Sequence, residues 1–581
     1  MRNYLRVSVS RRAAMGMMLS GAGAALLAAC GGTAAPSSAP AVSSTAPKPA
    51  TSVAPAGAPA SAAAASAPAS SPASAKPAAA GSVSASAAAK PAASGQAKTG
   101  GTIRTGQVGD IANLDGHYAN QLSATTVQLA YDMLTTYDDK LQPQPALAES
   151  WDLSSDLKTF KLTLRKGVTF HDGREFTSDD VKYNFMRVRD PKLGALVGTL
   201  AAQSAWFTDI QTPDKYSVVM TSDKARPGFF DVLSGFRMVD KNTMEGPDAK
   251  TKINGTGPFT FVEWATGDHI TMGKNKNYWQ TGKPYIDGFR VSILKDAAAM
   301  SAQLEAGALD AMYAPSLSDA ARLKADPKYT AVVNPNLGQF FYMNTNTTLP
   351  LFKDKRVRQA FNYVLDRQRI SQTVLRGLCG DPVSLPWPPQ SPAYEAAKNS
   401  FFTQNLDKAT ALLKDAGVSN PSFDITYSTS GYAEEFASMA QIFQSDLAKI
   451  GVKTTLKPVD GPTFTAQGSS HQYMGIRIGS GAGAGAQEAS TMLQSTSAYN
   501  YTGGFPGFTD PEYTRLVNAV SSEPDAAKRK ALYSQINDFL LDQSFTYAFS
   551  LYPSTAAMSA KVHDLAFATT AALNYLNAWI E

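Results

Sequence analysis

The clearest alternation of apolar and polar positions runs through residues 159–165. Phe160, Leu162 and Leu164 are separated by polar residues, so this stretch predicts a strand with one buried face. After a Lys-Gly turn, Val168 and Phe170 repeat the alternation and predict that the same sheet continues.

A helix is predicted directly downstream. His171-Asp172-Gly173 forms a tight polar turn, and Thr177 or Ser178 then begins the helix. Acidic residues in its first turn suit the helix dipole. We predict a structural role for this stretch, and His171 is not predicted to be a ligand or a base.

Helical spacing is also clear later in the chain, where one face of a predicted helix is apolar: Val357, Ala360, Phe361, Val364 and Leu365. Residues 473–478 are strand-like, and strand-like and helical stretches alternate throughout. The roughly 480 residues after position 99 are too many for one core and enough for two or three.

The first 99 residues differ in composition from the rest. Four arginines precede a short apolar stretch at 13–29, which predicts a cleaved export signal. Residues 33–99 are almost wholly Ala, Pro and Ser, which predicts a disordered tether. Without the eight cations of this region, 45 Lys and Arg face 48 Asp and Glu, a net charge of about −3, which disfavours nucleic-acid binding.

No pattern in the chain favours catalysis. The five histidines lack zinc-ligand spacing, and no serine lies in a G-x-S-x-G elbow. Gly481-x-Gly483 after the strand-like 473–478 has part of a dinucleotide-binding turn, but the third glycine is out of register and no βαβ unit follows. We expect no enzyme activity, no metal site and no cofactor.

Residues 145–187, from PALAESW through LRKGVTFHDGREFTSDDVKYNFMR, closely resemble the signature of the family 5 extracytoplasmic solute-binding proteins of ABC importers, the peptide- and nickel-binding branch. Further segments resemble the family's GTGPF element, its lobe crossing, its F-x-D-x-R-V-R-Q-A and Y-x-x-D-R motifs and its DPEYD segment: residues 252–259, 340–345, 352–367 and 510–513.

The resemblance implies an α/β chain with the two-lobed periplasmic-binding-protein type II fold and an extra inserted domain. The implied boundaries are an export signal with lipobox at 1–29, a lipidated cysteine and tether at 30–99, lobe I at 100–143, 251–337 and 548–581, the extra domain at 144–250, and lobe II at 338–547.

Residues 27–31, LAACG, resemble a bacterial lipobox. The resemblance implies cleavage before Cys30 and lipidation of its thiol, which would anchor the chain to the outer face of the cytoplasmic membrane. Ser10-Arg11-Arg12 also resembles a twin-arginine signal, so the export route stays open. With Cys30 lipidated, Cys379 stands alone and is predicted to be a packed apolar residue.

Peptide-binding relatives carry G-W-x-A-D-Y in a cleft loop, where the Asp pairs with the peptide amine. At the corresponding 481–486 this chain has Ala482 for the Trp and Gly485 for the Asp. The ligand is therefore either a peptide held without that Asp, with Glu488 as a shifted counter-charge, or a bulkier or less charged solute along a widened glycine wall.

Position in the family pattern and residue type nominate nine ligand-binding residues: Tyr118, Asn120, Gln121, Tyr342, Trp387, Arg477, Gly483, Gly485 and Phe505. Ordinary packing is the alternative for each aromatic residue. The alternative for Arg477, which alternates with Ile476 and Ile478, is a solvent-facing side chain.

The function implied by the resemblance is a monomeric substrate-binding lipoprotein that captures a peptide or another small organic solute and delivers it to an ABC permease and ATPase complex. A different class of protein, an extracytoplasmic receptor that signals its ligand to a sensor partner, would have the same pattern.

Overall fold

The computed structural model describes residues 97–118, 125–138, 140–193, 198–246, 251–334, 339–482, 488–568 and 572–581. The predicted export signal, nearly all of the tether, and the predicted residues Cys30, Asn120, Gln121, Gly483 and Gly485 lie outside them. Within this part of the chain, no helix is both long and apolar enough to cross a bilayer.

The strands of the described residues are, in chain order, β1 Thr102–Val108, β2 Thr135–Tyr137, β3 Pro143–Pro145, β4 Ala148–Leu153, β5 Thr159–Leu164, β6 Phe207–Asp214, β7 Ser217–Ser222, β8 Phe259–Ala265, β9 His269–Lys274, β10 Gly288–Leu294, β11 Ala311–Tyr313, β12 Tyr329–Asn334, β13 Gln339–Thr345, β14 Ser422–Ser428, β15 Lys453–Val459, β16 Gly475–Ala482, β17 Thr546–Leu551, β18 Ser554–Ser559, β19 Val562–His563, β20 Ala566–Phe567, β21 Leu573–Asn574 and β22 Trp579–Ile580.

The α-helices are α1 Ser178–Arg187, α2 Gly198–Ser204, α3 Phe229–Gly235, α4 Lys241–Glu245, α5 Ala297–Glu305, α6 Leu317–Lys324, α7 Lys355–Val364, α8 Arg367–Arg369, α9 Ala396–Asn399, α10 Leu406–Asp415, α11 Ala433–Ala448, α12 Gly461–Ser469, α13 Ala489–Ser495, α14 Pro511–Val520 and α15 Ala526–Gln543.

Three sheets organise the described residues, each with its own apolar cluster. A seven-stranded sheet has the order β12-β18-β11-β1-β10-β9-β8, and a five-stranded sheet has the order β15-β14-β16-β13-β17. A four-stranded antiparallel sheet, β4-β5-β7-β6, packs against α1 and α3. A separate core for each of the three sheets, with a smaller fourth cluster on the seven-stranded sheet, agrees with the expectation that one core could not serve a chain of this length.

The chain passes between the seven- and five-stranded sheets at two neighbouring places. β12 pairs with β18 in one sheet, while β13 pairs with β17 in the other. The second passage falls between Leu551 and Ser554, because β17 continues its pairing with β13 as far as Leu551, whereas the sequence places the lobe boundary at 547/548. Two adjacent crossings are typical of a hinge.

The predicted strand is β5, in which Phe160, Leu162 and Leu164 are fully or almost fully buried. The predicted helix is α1, which begins after Thr177 with a capping box in which the Thr177 N–H donates to the Asp180 carboxylate at 2.9 Å. Both predictions are confirmed because alternation and capping depend only on nearby residues.

The prediction that Val168 and Phe170 continue the sheet is only partly right. Both side chains are buried, but the backbone forms a single bridge, Thr169 with Glu175, and no strand. The polar turn that follows has a structural role, since the His171 Nε2 lies 3.1 Å from the Gly257 carbonyl oxygen. His171 is therefore scaffold, as predicted.

Half-buried Asp132 lies where the four- and seven-stranded sheets adjoin. Its carboxylate accepts hydrogen bonds from the Trp279 indole at 2.9 Å and from the hydroxyls of Tyr278 and Thr256 at 3.1 Å each. Burial raises the pKa of the Asp132 carboxyl to about 6, although these three hydrogen bonds lower it. The protonated form is therefore favoured in the folded protein relative to the unfolded chain.

Because the folded pKa of Asp132 lies above its unfolded value, this carboxyl stabilises the fold below pH ~4, and the contribution is lost as pH rises through 6. The rise in the pKa of Asp132 from about 4 to about 6 corresponds to about 3 kcal/mol in the free energy of unfolding. We expect Asp132→Asn to remove this dependence, measured as urea midpoints of both proteins from pH 4 to pH 7. Equal slopes for the two proteins would contradict the expectation.

Candidate ligand-binding cleft

Parallel strands in both large sheets end at places where a ligand site is expected. β1 runs parallel to β10 and β11, and β14 runs parallel to β15 and β16. In each sheet the chain moves to one side of the first strand and then to the other, so the carboxyl ends lie at a switch in strand order. Open α/β sheets bind ligands at such crevices.

The carboxyl ends of the two sheets meet. Leu317, which begins α6 after β11, is fully buried in the apolar cluster of the five-stranded sheet. Burial raises the pKa of the Glu435 carboxyl on α11, which follows β14, and the nearby Leu317 backbone N–H lowers it, so the two residues lie close together. A groove of about 540 Å³ lies beside this contact, and its walls include Ser318, Arg369, Arg376, Glu434, Glu435 and Gln441.

The loop after β1 is held in place by buried charge. Arg187 of α1 forms an ion pair with Asp115 at 2.6 Å, and its guanidinium lies 2.7 Å from the His117 Nδ1. Burial lowers the pKa of His117 to about 4, so this histidine is neutral at physiological pH. The Tyr118 hydroxyl donates to the Leu193 carbonyl oxygen at 3.1 Å, and the side chain is half-buried. Residues 119–124, which follow it in the chain, lie outside the described residues.

Tyr342 covers two glycines of β16. An added Cβ at Gly479 would lie 3.0 Å from the Tyr342 hydroxyl, and one at Gly481 would lie 3.1 Å from the Tyr342 ring. The glycine wall expected from the sequence is thus filled by this aromatic ring at both positions, because β13 and β16 are hydrogen-bonded neighbours. Burial raises the pKa of the Tyr342 hydroxyl.

Arg477 is buried between two aromatic rings. Its guanidinium carbon lies 3.8 Å from the Phe464 ring centre and 4.1 Å from that of Phe505, and Nη2 donates to the Phe464 carbonyl at 3.2 Å. Only 1 % of the side chain is exposed, so the solvent-facing interpretation is wrong. β16 is an inner strand, and α12 and the 500–508 loop cover the face from which Arg477 projects. The alternating side chains of Ile476, Arg477 and Ile478 are therefore not exposed to solvent.

Two residues nominated independently, Arg477 and Phe505, therefore lie in contact, and burial lowers the pKa of the guanidinium. Such stacking is worth about 2 kcal/mol or more when the cation is desolvated. The Nη1 atom is buried and has no hydrogen-bond partner among the described residues. The Arg477 guanidinium is held mainly by contact with the faces of aromatic rings. We therefore assign this side chain a packing role at the base of the cleft wall.

Gly468 of α12 is the residue that lets Arg477 fit. A Cβ there would lie 1.8 Å from Nη1 and 2.9 Å from the Phe505 ring. We expect Gly468→Ala to lower the free energy of unfolding by about 1–3 kcal/mol, as overpacking does. Urea denaturation would measure this against Gly235→Ala, where the added Cβ meets nothing within 4 Å. Similar midpoints for the two variants would contradict the expectation.

Trp387 is a core residue. Its ring is 1 % exposed, and its indole N–H donates to the Asn537 Oδ1 of α15 at 2.6 Å. α15 therefore covers the proline-flanked loop that carries Trp387. We therefore assign Trp387 to packing, the alternative that the sequence left open.

Glu488 directs its carboxyl at residues of α15 and not at an open cavity. The Tyr533 hydroxyl donates to it, and the Arg529 Nε lies 4.0 Å away. Its backbone N–H donates to Asp231 of α3 at 3.1 Å. The described contacts thus do not offer this carboxyl as a counter-charge for a peptide amine.

Phe464 and Asp231 were missed from the sequence. Phe464 lies on a short helix without a distinctive motif, and Asp231 lies in a segment that carries none of the family-like elements. Only the fold brings them to Arg477 and Glu488. Among the described residues, no three His, Cys, Asp or Glu side chains are grouped so that they could hold a metal ion.

Comparison with known proteins decides the family. The model of the bacterial extracellular solute-binding proteins, family 5 (middle) matches residues 142–502, more than half of the chain. The chain belongs to this family. Its members bind solutes and are not enzymes, so the predicted function class and absence of catalysis are confirmed.

Curated relatives of the chain are named for different ligands. The chain is 28% identical to heme-binding protein A of Haemophilus influenzae over 430 residues, 69% of this chain and 77% of the relative. It is 29% identical to di/tripeptide-binding protein 1 of Pseudomonas aeruginosa over 431 residues, 69% of this chain and 79% of the relative.

A solved structure extends the match to the fold. The PBP AgaA of A. tumefaciens R10, in complex with agropinic acid, is 27% identical with a TM-score of 0.71, covering 83% of this chain and 99% of AgaA. The predicted two-lobed fold with an extra domain is confirmed. The chain is an ABC-transporter substrate-binding protein for peptides or related solutes, and it works in the extracytoplasmic space.

Proposed function

We propose that the chain closes over a small organic solute where the carboxyl ends of its two large sheets meet, and that it delivers this solute to an ABC permease and ATPase complex. In this proposal the seven-stranded sheet is lobe I, the five-stranded sheet is lobe II and the four-stranded sheet forms the extra domain. The observation that carries the proposal is the contact between Leu317 after β11 and Glu435 after β14.

The solute is captured without the Asp and Trp of the peptide-binding loop pattern, since Ala482 and Gly485 replace them. Glu488 does not compensate, because its carboxyl contacts Tyr533 and Arg529. A peptide held through other groups and a non-peptide solute both fit this arrangement, and relatives named for heme, di- and tripeptides and agropinic acid span both classes. We favour a solute that does not depend on an amine counter-charge at position 485.

The ligand class is tested by native mass spectrometry of the full chain carrying Cys30→Ser, purified without denaturant, followed by identification of the released compound. A co-purified non-peptide solute supports the altered loop as a change of substrate. A co-purified peptide with a free amine would contradict our preference. Gly485→Asp is the matched variant, since it should strengthen dipeptide binding only if the alignment with the family loop is right.

We further propose that lipidated Cys30 holds the protein on the membrane and that residues 33–99 are its tether, with a reach of about 45 Å as a flexible coil. Fractionation of cells that produce the natural chain or Cys30→Ser tests the anchor. The natural chain is expected with the membranes and the variant in the soluble extracytoplasmic fraction. Equal partitioning would refute the anchor without affecting solute capture.

A further inference from the structure

Two of the three cores touch at a pair of acidic residues. Helix α3 packs through Phe229, Val232 and Leu233 into the core of the four-stranded sheet. Helix α13 packs through Ala489, Met492 and Leu493 into the core of the five-stranded sheet. Asp231 of α3 and Glu488, which precedes α13, meet between them.

Asp231 joins both sides of this contact. Its Oδ1 accepts a hydrogen bond from the Tyr137 hydroxyl of β2 at 2.9 Å, and its Oδ2 accepts from the backbone N–H of Glu488 at 3.1 Å. The side chain is almost fully buried. Beside it the backbones approach closely, since a Cβ on Gly228 would lie 2.4 Å from the Thr491 hydroxyl.

The Glu488 carboxyl is also buried, with 13 % of the side chain exposed. The described groups that face it are Tyr533 and Arg529 from α15, Asp231 from α3, Tyr137 from β2 and the Ser490 N–H from its own helix. Burial raises the pKa of this carboxyl to about 7; Arg529 lowers it and the Asp231 carboxylate raises it further. The two carboxyl groups thus share one contact, and among the described residues Arg529 is the cation at its edge.

Opening of the cleft would separate α3 from α13. Asp231 would lose the Glu488 N–H, and Glu488 would lose the repulsion of Asp231 and gain water. A carboxyl in water has a pKa near 4.3, so Glu488 would release its proton at neutral pH on opening. By linkage, the closed form is favoured at low pH and loses this advantage as pH rises through 7.

We propose that Asp231 is a positioning residue for solute capture: its carboxylate holds the start of α13 through the Glu488 N–H when the cleft closes, and closing takes up a proton at Glu488. This inference rests on the proposed function, in which the chain alternates between open and closed forms. It adds a connection between the extra domain and lobe II that biases this equilibrium and makes it depend on pH.

The test uses the full chain with Cys30→Ser and dyes on Lys224→Cys and Asn518→Cys, two exposed positions on either side of the contact. Cys379 is 1 % exposed and burial raises its pKa to about 12, so it stays unlabelled. Single-molecule energy transfer is recorded at pH 6 and pH 8, after bound solute has been removed by unfolding and refolding. We expect the ratio of closed to open molecules to fall several-fold between these pH values, and by about tenfold at most, because a single proton that binds the closed form with a pKa of about 7 changes the ratio by that factor.

Three variants separate the roles of the two acids. Asp231→Ala should lower the closed fraction at both pH values, whereas Asp231→Asn, which keeps an acceptor oxygen, should restore much of it with a weaker pH response. Glu488→Gln should stay closed at both pH values. Thermal midpoints near that of the parent chain would show that each variant is folded.

The inference is overturned if Asp231→Ala closes as the parent does, or if Glu488→Gln keeps the full pH response. Failure of the proposed function has a different signature. A parent chain that shows one unchanging distance at both pH values, before and after solute removal, does not open and close at all. Two distances that respond to solute removal but not to pH or to Asp231 would refute only this inference.

Discussion

Replacing Gly255 by alanine is expected to prevent folding or to lower the free energy of unfolding by about 4 kcal/mol or more, which is among the largest effects of single substitutions. An added Cβ would lie 1.9 Å from the Ala130 carbonyl oxygen and 2.7 Å from the Tyr131 ring. The obstructing oxygen belongs to the backbone, so no side-chain rotation relieves the overlap. The short helix Val127–Ala130 would have to move as a whole.

The position of Gly255 explains the size of the effect. The Gly255 carbonyl accepts the His171 N–H at 2.9 Å, and the Gly257 N–H donates to the Ala130 carbonyl at 3.0 Å. The segment is therefore pressed between the turn before α1 and the helix Val127–Ala130. These contacts join the four- and seven-stranded sheets, so displacement would affect both cores.

Urea denaturation followed by circular dichroism, together with soluble yield, would measure the change. Gly235→Ala is the matched control, because its Cβ meets nothing within 4 Å and we expect a change of about 0.5 kcal/mol or less. A Gly255→Ala protein with the yield and midpoint of the control would show that the backbone adapts, and the steric argument would fail.

Features that depend on neighbouring residues could be predicted from the sequence. The burial of Phe160, Leu162 and Leu164 followed from alternation, and the start of α1 followed from the Thr177 cap. The inward face of α7 followed from helical spacing, and Cys379 is packed as expected. The family-like motifs then supplied the two-lobed fold, which no local pattern contains.

Features that depend on distant residues could not be predicted. Arg477 is covered by Phe464, thirteen residues earlier, and by Phe505 from a later loop. Trp387 is covered through Asn537, 150 residues away, and Asp231 meets Glu488 across 257 residues. For Trp387 the local pattern fitted both a binding and a packing role, for Arg477 it fitted a binding role and a solvent-facing one, and for Asp231 no local pattern indicated a role. Only the tertiary contacts of each residue decide its role.

Arg367 of the Tyr363-to-Arg367 motif is expected to be the other position of high sensitivity. Its buried guanidinium donates to the Val383 carbonyl at 3.0 Å and the Ala548 carbonyl at 3.1 Å, and further to the backbone and side-chain oxygens of Asn362. It therefore ties α7, β17 and the loop at Val383 together. The arginine of the family-like Y-x-x-D-R motif thus has a structural role, because its hydrogen bonds hold these three segments together.

Arg367→Met removes the donors and leaves these oxygens buried without partners, at about 1–3 kcal/mol for each unsatisfied group. Allowing for relaxation, we expect a loss of about 3–5 kcal/mol in the free energy of unfolding. Arg367→Lys should fall between, because an ammonium keeps the charge but not the planar fork that reaches several carbonyls at once.

Arg356 on the same helix α7 is the matched control, since it is partly exposed and pairs with Asp354 at 2.5 Å. Arg356→Met should cost about 1 kcal/mol or less. Urea midpoints of the three variants, measured under one set of conditions, order the effects. If Arg367→Met lowered the free energy of unfolding no more than Arg356→Met does, water would have to satisfy the carbonyl oxygens around Arg367. The hydrogen bonds of the guanidinium would then not be needed to hold α7, β17 and the loop at Val383 together.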